Sequence, residues 1–183
     1  MTTKGKQAGG KERGRLLPAF LRSKKGTTAV EFGILAVPFV LIIYFVLDVS
    51  MMYLADSLLD RSLHKVARQI KTGQAQTAGM TQTTFKSYVC SNMLSMFNCN
   101  DNVYINVQVV TDISNVSFLN PVDSSGNFDT NMNFNTGNAG DYVLAQGFLK
   151  WTSPMAILAN AAGRLADGSV ILSSASLFRN EPF

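Results

Sequence analysis

Histidine occurs once in this 183-residue chain, tryptophan once and cysteine twice. A single His64, with no Cys or carboxylate constellation around it, leaves too few groups for a metal centre or an imidazole-based active site, and two cysteines cannot complete a structural zinc site. Also missing are a nucleophile elbow, a phosphate-cradling glycine loop and paired acids in a cleft pattern. The glycines of "GNAGD" at 137–141 lack the spacing and the preceding strand of a dinucleotide site. No cofactor and no metal are expected, and the chain reads as a non-enzyme. Acidic side chains are scarce at the start: residues 1–26 hold eight lysines and arginines against Glu12 alone, whereas the remainder holds eight basic and eleven acidic groups, a formal −3. The overall +4 and the pI near 9.2 therefore belong to a leader and not to a nucleic-acid-binding face.

Charge is absent altogether from Phe32 to Leu47, sixteen residues, and extending this run back to Thr27 adds Glu31 as its only ionisable group. About 20 residues at ~1.5 Å each cross a hydrocarbon core of ~30 Å. Lysines and arginines precede the run, and Asp48, Asp56 and Asp60 follow it before Arg61. That asymmetry predicts a single pass through a membrane, with the N-terminus cytoplasmic and the remainder exported. A buried core helix behind a basic tail is the alternative. "LDVSMMYLADS" offers no A-x-A-like signal-peptidase site, and no cysteine lies there to take a lipid.

A lone carboxylate in hydrocarbon is costly without a partner. "KKGTTAVEF" at 24–32 supplies a rationale: glycine, four residues, glutamate and an aromatic form the prepilin-peptidase pattern. Cleavage between Gly26 and Thr27 makes Glu31 the fifth residue of a mature helix beginning with a free ammonium, and the ammonium of one subunit can neutralise the glutamate of another in low dielectric. Glu31 then pins register, with Phe32 beside it. A glutamate reaching toward the interface from near its helix end is the other reading.

Beyond this site, "ARQIKTGQAQ" at 67–76, "GMTQTTFKSYVC" at 79–90, "VYINVQV" after Cys99, "GD" at 140–141 and the terminal "FRNEPF" together resemble the TadE-like family. The resemblance implies a minor pseudopilin of the tight-adherence (Tad/Flp) type IV pilus machinery, processed by that system's prepilin peptidase. It implies other pilins and pseudopilins, the pilus assembly platform and the lipid bilayer as partners. An uncleaved single-pass protein with an exported interaction domain is the alternative.

The expected fold is α+β and pilin-like: a leader at 1–26, a transmembrane helix at 27–55 and a periplasmic head at 56–183. Leu59, Leu63, Val66 and Ile70 share a helix face, so the helix should continue past the membrane until Gly73, with a kink at Pro38. Thr81 should cap a second helix with Phe85, Tyr88, Val89 and Met93 inside. In an exported domain Cys90 and Cys99 favour a disulfide over free thiols. A half-buried strand is expected at "NVYINVQVV", a second at Tyr142–Trp151, a helix after Pro154 and a closing strand in "SVILSSASLFR". The Asn- and Asp-rich stretch 115–141 reads as a long surface loop. Its Asp129, Asn131 and Asn133 imitate a calcium loop, which Phe134 and Gly140 break where glycine and glutamate are required.

Overall fold

The computed structural model describes residues 27–94, 97–153 and 165–183, so the leader, including Gly26, and the helix expected after Pro154 lie outside the described residues. The chain divides into two units, 1–44 and 45–183. Helix α1 (Thr27–Lys71) is assigned without a break through Pro38. In the first unit its large apolar side chains from Val30 onward are all exposed.

The second unit is built on a different stretch of α1. Ala55, Leu59, Leu63, Val66 and Ile70 are buried to within 1%, as expected of a stripe recurring every three or four residues. They face an antiparallel sheet of β1 (Val103–Val110), β2 (Tyr142–Trp151) and β3 (Val170–Arg179), with β2 in the centre. Register pairs Ile105 with Gly147 and Gly147 with Ser174. Gly147 lets helix and sheet approach: a Cβ there would lie 3.4 Å from Leu59 Cδ1 and 3.5 Å from Leu63 Cδ2. Two acids of α1 accept hydroxyl protons from the sheet side, Asp60 from Ser174 (2.7 Å) and Asp48 from Ser153 (2.5 Å).

Gly73 ends α1 with φ +77, the left-handed geometry glycine adopts most readily. The Phe183 ring lies where a Gly73 Cβ would be, so a side chain there would collide with the chain's last residue. The terminal motif clips onto this end: Glu181 N donates to Lys71 O, and Asn180, 3% exposed, donates through Nδ2 to Thr136 O and Asn138 O. A single turn, α2 (Gln74–Thr77), follows.

Helix α3 (Gln82–Asn92) starts at Thr81, whose hydroxyl accepts from Thr84 N. Phe85, Val89 and Met93 are buried as expected, but Tyr88 is 44% exposed. The correction follows from geometry: Val89, Cys90 and Met93 lie on one side of Phe85 around the helix and Tyr88 on the other, so turning Cys90 inward turns Tyr88 out. Cys90 is bonded to Cys99, which opens the short turn α4 (Cys99–Asn102) leading into β1. Replacing both cysteines with serine is expected to cost on the order of 2 to 3 kcal/mol for so small a loop. Denaturant midpoints checks this, as does a count of zero reactive thiols in the unreduced, denatured wild-type chain.

The stretch 115–141 is a long surface loop as expected, with Pro121 its one buried residue, and parts of it lie against the sheet face opposite α1. Asn106 and Gln146, buried side chains of β1 and β2, hold it there. Asn106 Oδ1 accepts from Asn133 N at 2.9 Å, and Gln146 Oε1 accepts from Leu119 N at 3.1 Å. Phe134 bridges in parallel to Val107 and packs edge-on against Phe85, with ring centroids 5.7 Å apart. Phe134 thus joins the core on the α1 side, whereas Leu144 and Phe148 are buried on the opposite face, so β2 is covered on both sides. Of the calcium-like residues, Asp129 Oδ1 accepts from Asn131 N, while the Asn133 backbone is bonded to Asn106 and Val107.

Between β2 and β3, Lys150 Nζ pairs with Asp167 Oδ2 at 2.5 Å. This bond, with the Ser169 hydroxyl and amide, holds the Asp167 carboxyl down at about 2. An unfolded aspartate titrates near 3.9. The contribution is therefore complete above about pH 4 and lost as the pH falls through about 2. Asp167→Asn is expected to flatten stability against pH across that window; urea midpoints at successive pH values measure it.

Candidate functional site

The candidate site is the N-terminal part of α1. Its sequence contains no acid in the first helical turn, and its single carboxylate, Glu31, enters at the fifth described residue. Glu31 lies four positions after Thr27, so the first backbone nitrogen of the described helix and the glutamate lie one turn apart on the same side, about 6 Å along the axis. Around Glu31 the surface is apolar. Phe32 is 73% exposed, and Ile34, Leu35, Val37 and Phe39 are likewise open. Among the described residues Glu31 has no ion-pair partner.

This surface departs from what water tolerates. Soluble proteins scatter exposed apolar residues singly; here fourteen large apolar side chains between Val30 and Leu47 are exposed on every side of one helix. A helix apolar all round belongs inside hydrocarbon or against other apolar helices. It is long and apolar enough to cross a membrane. In such surroundings a carboxylate is costly without a cation or another polar group beside it.

The remaining sequence-derived residues separate. Thr27 opens the described helix, and Glu31 and Phe32 follow within its next turns; Gly26 lies outside the described residues. Cys90 and Cys99 belong to the second unit, where their bond closes the turn between α3 and β1. His64 lies on the exposed face of α1, its Nδ1 2.9 Å from Asp60 O and 3.4 Å from the Asp60 carboxylate, a local pair one turn apart. Asn106 and Gln146 were not singled out from sequence. The only signals were that Asn106 lies in the polar phase of β1 with Gln108, a phase usually left to solvent, and that Gln146 is a single amide between Leu144 and Phe148 in the same phase of β2.

No curated protein and no solved structure matches the chain. The quoted motifs beyond Arg68 fall outside the stretch that does match a family. Residues 26–68, which take in Thr27, Glu31, the exposed apolar run and the buried stripe as far as Val66, match the family model described as TadE-like protein, and that match links the chain to Tad pilus assembly.

Proposed function

We propose that this chain is a minor pseudopilin of a Tad/Flp pilus, anchored in the bacterial inner membrane by α1 with its basic leader in the cytoplasm and its second unit in the periplasm. A prepilin peptidase cuts it between Gly26 and Thr27. The new Thr27 ammonium of one subunit then pairs with Glu31 of a neighbouring pilin or pseudopilin while apolar helices pack side by side on the assembly platform. The chain performs no chemistry of its own; its role is structural.

One observation carries this reading: within the TadE-like stretch, Glu31 is the sole acidic or basic side chain on an apolar helix surface from Thr27 to Leu47, one turn from the residue that cleavage would expose. Eight basic residues before the helix and three aspartates soon after its charge-free run support the orientation. Mass spectrometry of the chain recovered from membranes tests the proposal. The expected product begins at Thr27 and reverts to the Met1 precursor when the peptidase is deleted. Precursor beginning at Met1 in cells that make functional pili rejects the pseudopilin reading in favour of an uncleaved anchor.

A further inference from the structure

The two edges of the sheet differ. At the β1 edge Val107 N donates to Asn133 O, Val107 O accepts from Asn135 N, and Gln82 Nε2 donates to Ile105 O. That edge is occupied. Main-chain bonds of an antiparallel strand alternate from side to side, so the outward bonds of Val107 fix the phase of the whole ladder. Asn106 and Gln108 face β2, while Ala145 and Gly147 of β2 face Ser176 and Ser174 of β3. The main-chain groups of Ile171, Ser173, Ala175 and Leu177 therefore point away from the sheet. Among the described residues they have no partner.

An exposed edge is normally blunted by a charge, a proline or a bulge. From Val170 to Phe178 this strand has no charged residue and no proline, and its register with β2 runs unbroken. Ser173, Ala175 and Leu177 are exposed. On the same face, opposite α1, lies a cleft of about 650 Å³ whose lining includes Phe118, Val122, Phe148, Ile171, Ser173 and Ala175. Bare amides beside an apolar cleft are what a sheet needs to take up a further strand: main-chain bonds hold it, and alternate side chains fill the cleft.

A second copy of the chain does not fit this edge. A closed pair of identical edge strands is antiparallel. Helix α1 runs beside β3 in the same direction, since Asp60 meets Ser174 and Lys71 meets Glu181. Such a pair would turn the two α1 helices opposite ways, which chains entering one membrane in one orientation, as proposed above, cannot do. Docking β3 on the β1 edge of a copy fails as well, because Asn133 and Asn135 hold that edge.

We infer that the outer edge of β3 takes an extended, uncharged segment of a different pilus protein as a fourth strand, with an apolar side chain of that segment in the cleft. The partner's identity as a pilus protein rests on the function proposed above; the open edge does not.

Amide hydrogen exchange of the full chain, read residue by residue by mass spectrometry, tests this in membranes from two strains. One makes every pilus protein; the other makes only this chain and the prepilin peptidase. In both, β2 should keep the amides of Leu172, Ser174 and Ser176 slow. The amides of Ile171, Ser173, Ala175 and Leu177 should exchange fast in the second strain and about tenfold or more slower in the first. Fast exchange in both strains leaves the edge open to water and overturns the inference. Slow exchange in both means that the chain itself or a second copy fills the edge, which overturns it equally. Ala175→Pro removes one outward donor and no bond to β2, a position where an edge strand accepts proline, so it should abolish the slowing at Ser173 and Leu177. Slowing that survives in a folded Ala175→Pro chain overturns the inference; if Leu172, Ser174 and Ser176 turn fast, the variant has unfolded and the wild-type comparison decides. Intact mass from the same samples reports separately, since a chain beginning at Met1 rejects the pseudopilin reading and leaves the exchange result unchanged.

Discussion

Glu31→Gln is expected to leave membrane insertion and peptidase processing intact and to remove the chain from pilus assembly. Glutamine keeps the size and helix propensity of glutamate, so α1 should form as before. What it loses is the charge. In hydrocarbon the Thr27 ammonium of an incoming subunit would find no anion, and removing one member of a buried ion pair costs about 3 to 5 kcal/mol because the other is left unpaired. At 1.4 kcal/mol per tenfold, subunit pairing should weaken on the order of a hundredfold or more. Pilus counts by electron microscopy, read beside the mature mass of the variant, separate assembly from processing. Wild-type pilus numbers with correctly processed Glu31→Gln protein would show that the carboxylate is no register pin. Glu31→Asp, which keeps the charge on a shorter arm, should retain part of the function.

Leu63→Ala is expected to destabilise the second unit by about 2 to 5 kcal/mol. Leu63 is fully buried and lies against Gly147 in the central strand. No flexible side chain on that glycine can move into the space, so the hole persists and the upper part of the range applies. Leu41→Ala removes the same atoms from the same helix, but Leu41 is 45% exposed in the isolated chain. In detergent that change should shift the stability of the second unit by no more than about 0.5 kcal/mol. Urea titrations followed by Trp151 fluorescence give both midpoints. Equal midpoints for the two variants would mean that the buried stripe does not hold helix and sheet together.

Several features were legible because they depend on neighbours in sequence. The length of the apolar run, the spacing of Leu59, Leu63, Val66 and Ile70, the Thr81 cap, the Gly73 stop and the strands at Tyr142–Trp151 and Val170–Arg179 all follow from periods and termini that a local window contains. The pairing of Glu31 with its environment was legible for the same reason, since one charge inside a long apolar run needs no fold to be conspicuous.

The outward turn of Tyr88 and the anchoring of the 115–141 loop to the sheet were not legible, and both are long-range. Which flank of α3 turns inward is set by Cys90 reaching Cys99, and the apolar pattern of Phe85, Tyr88, Val89 and Met93 is equally consistent with either flank. An Asn- and Asp-rich stretch normally stays in water because its backbone groups need partners. Here Asn106 and Gln146 provide those partners from the middle of the sheet, at 27 residues' separation in each case.

The sequence alone determined that one helix is long and apolar enough to cross a membrane, with a single carboxylate in its apolar run, because the free energy of burying charge and exposing hydrocarbon depends on composition and helical period. Only the tertiary structure decided that β2 is covered on both sides and that Ser153 reaches Asp48. Those arrangements rest on hydrogen bonds between residues such as Gln146 and Leu119 or Ser153 and Asp48, the latter 105 positions apart, and no local pattern records which distant donor will meet which acceptor.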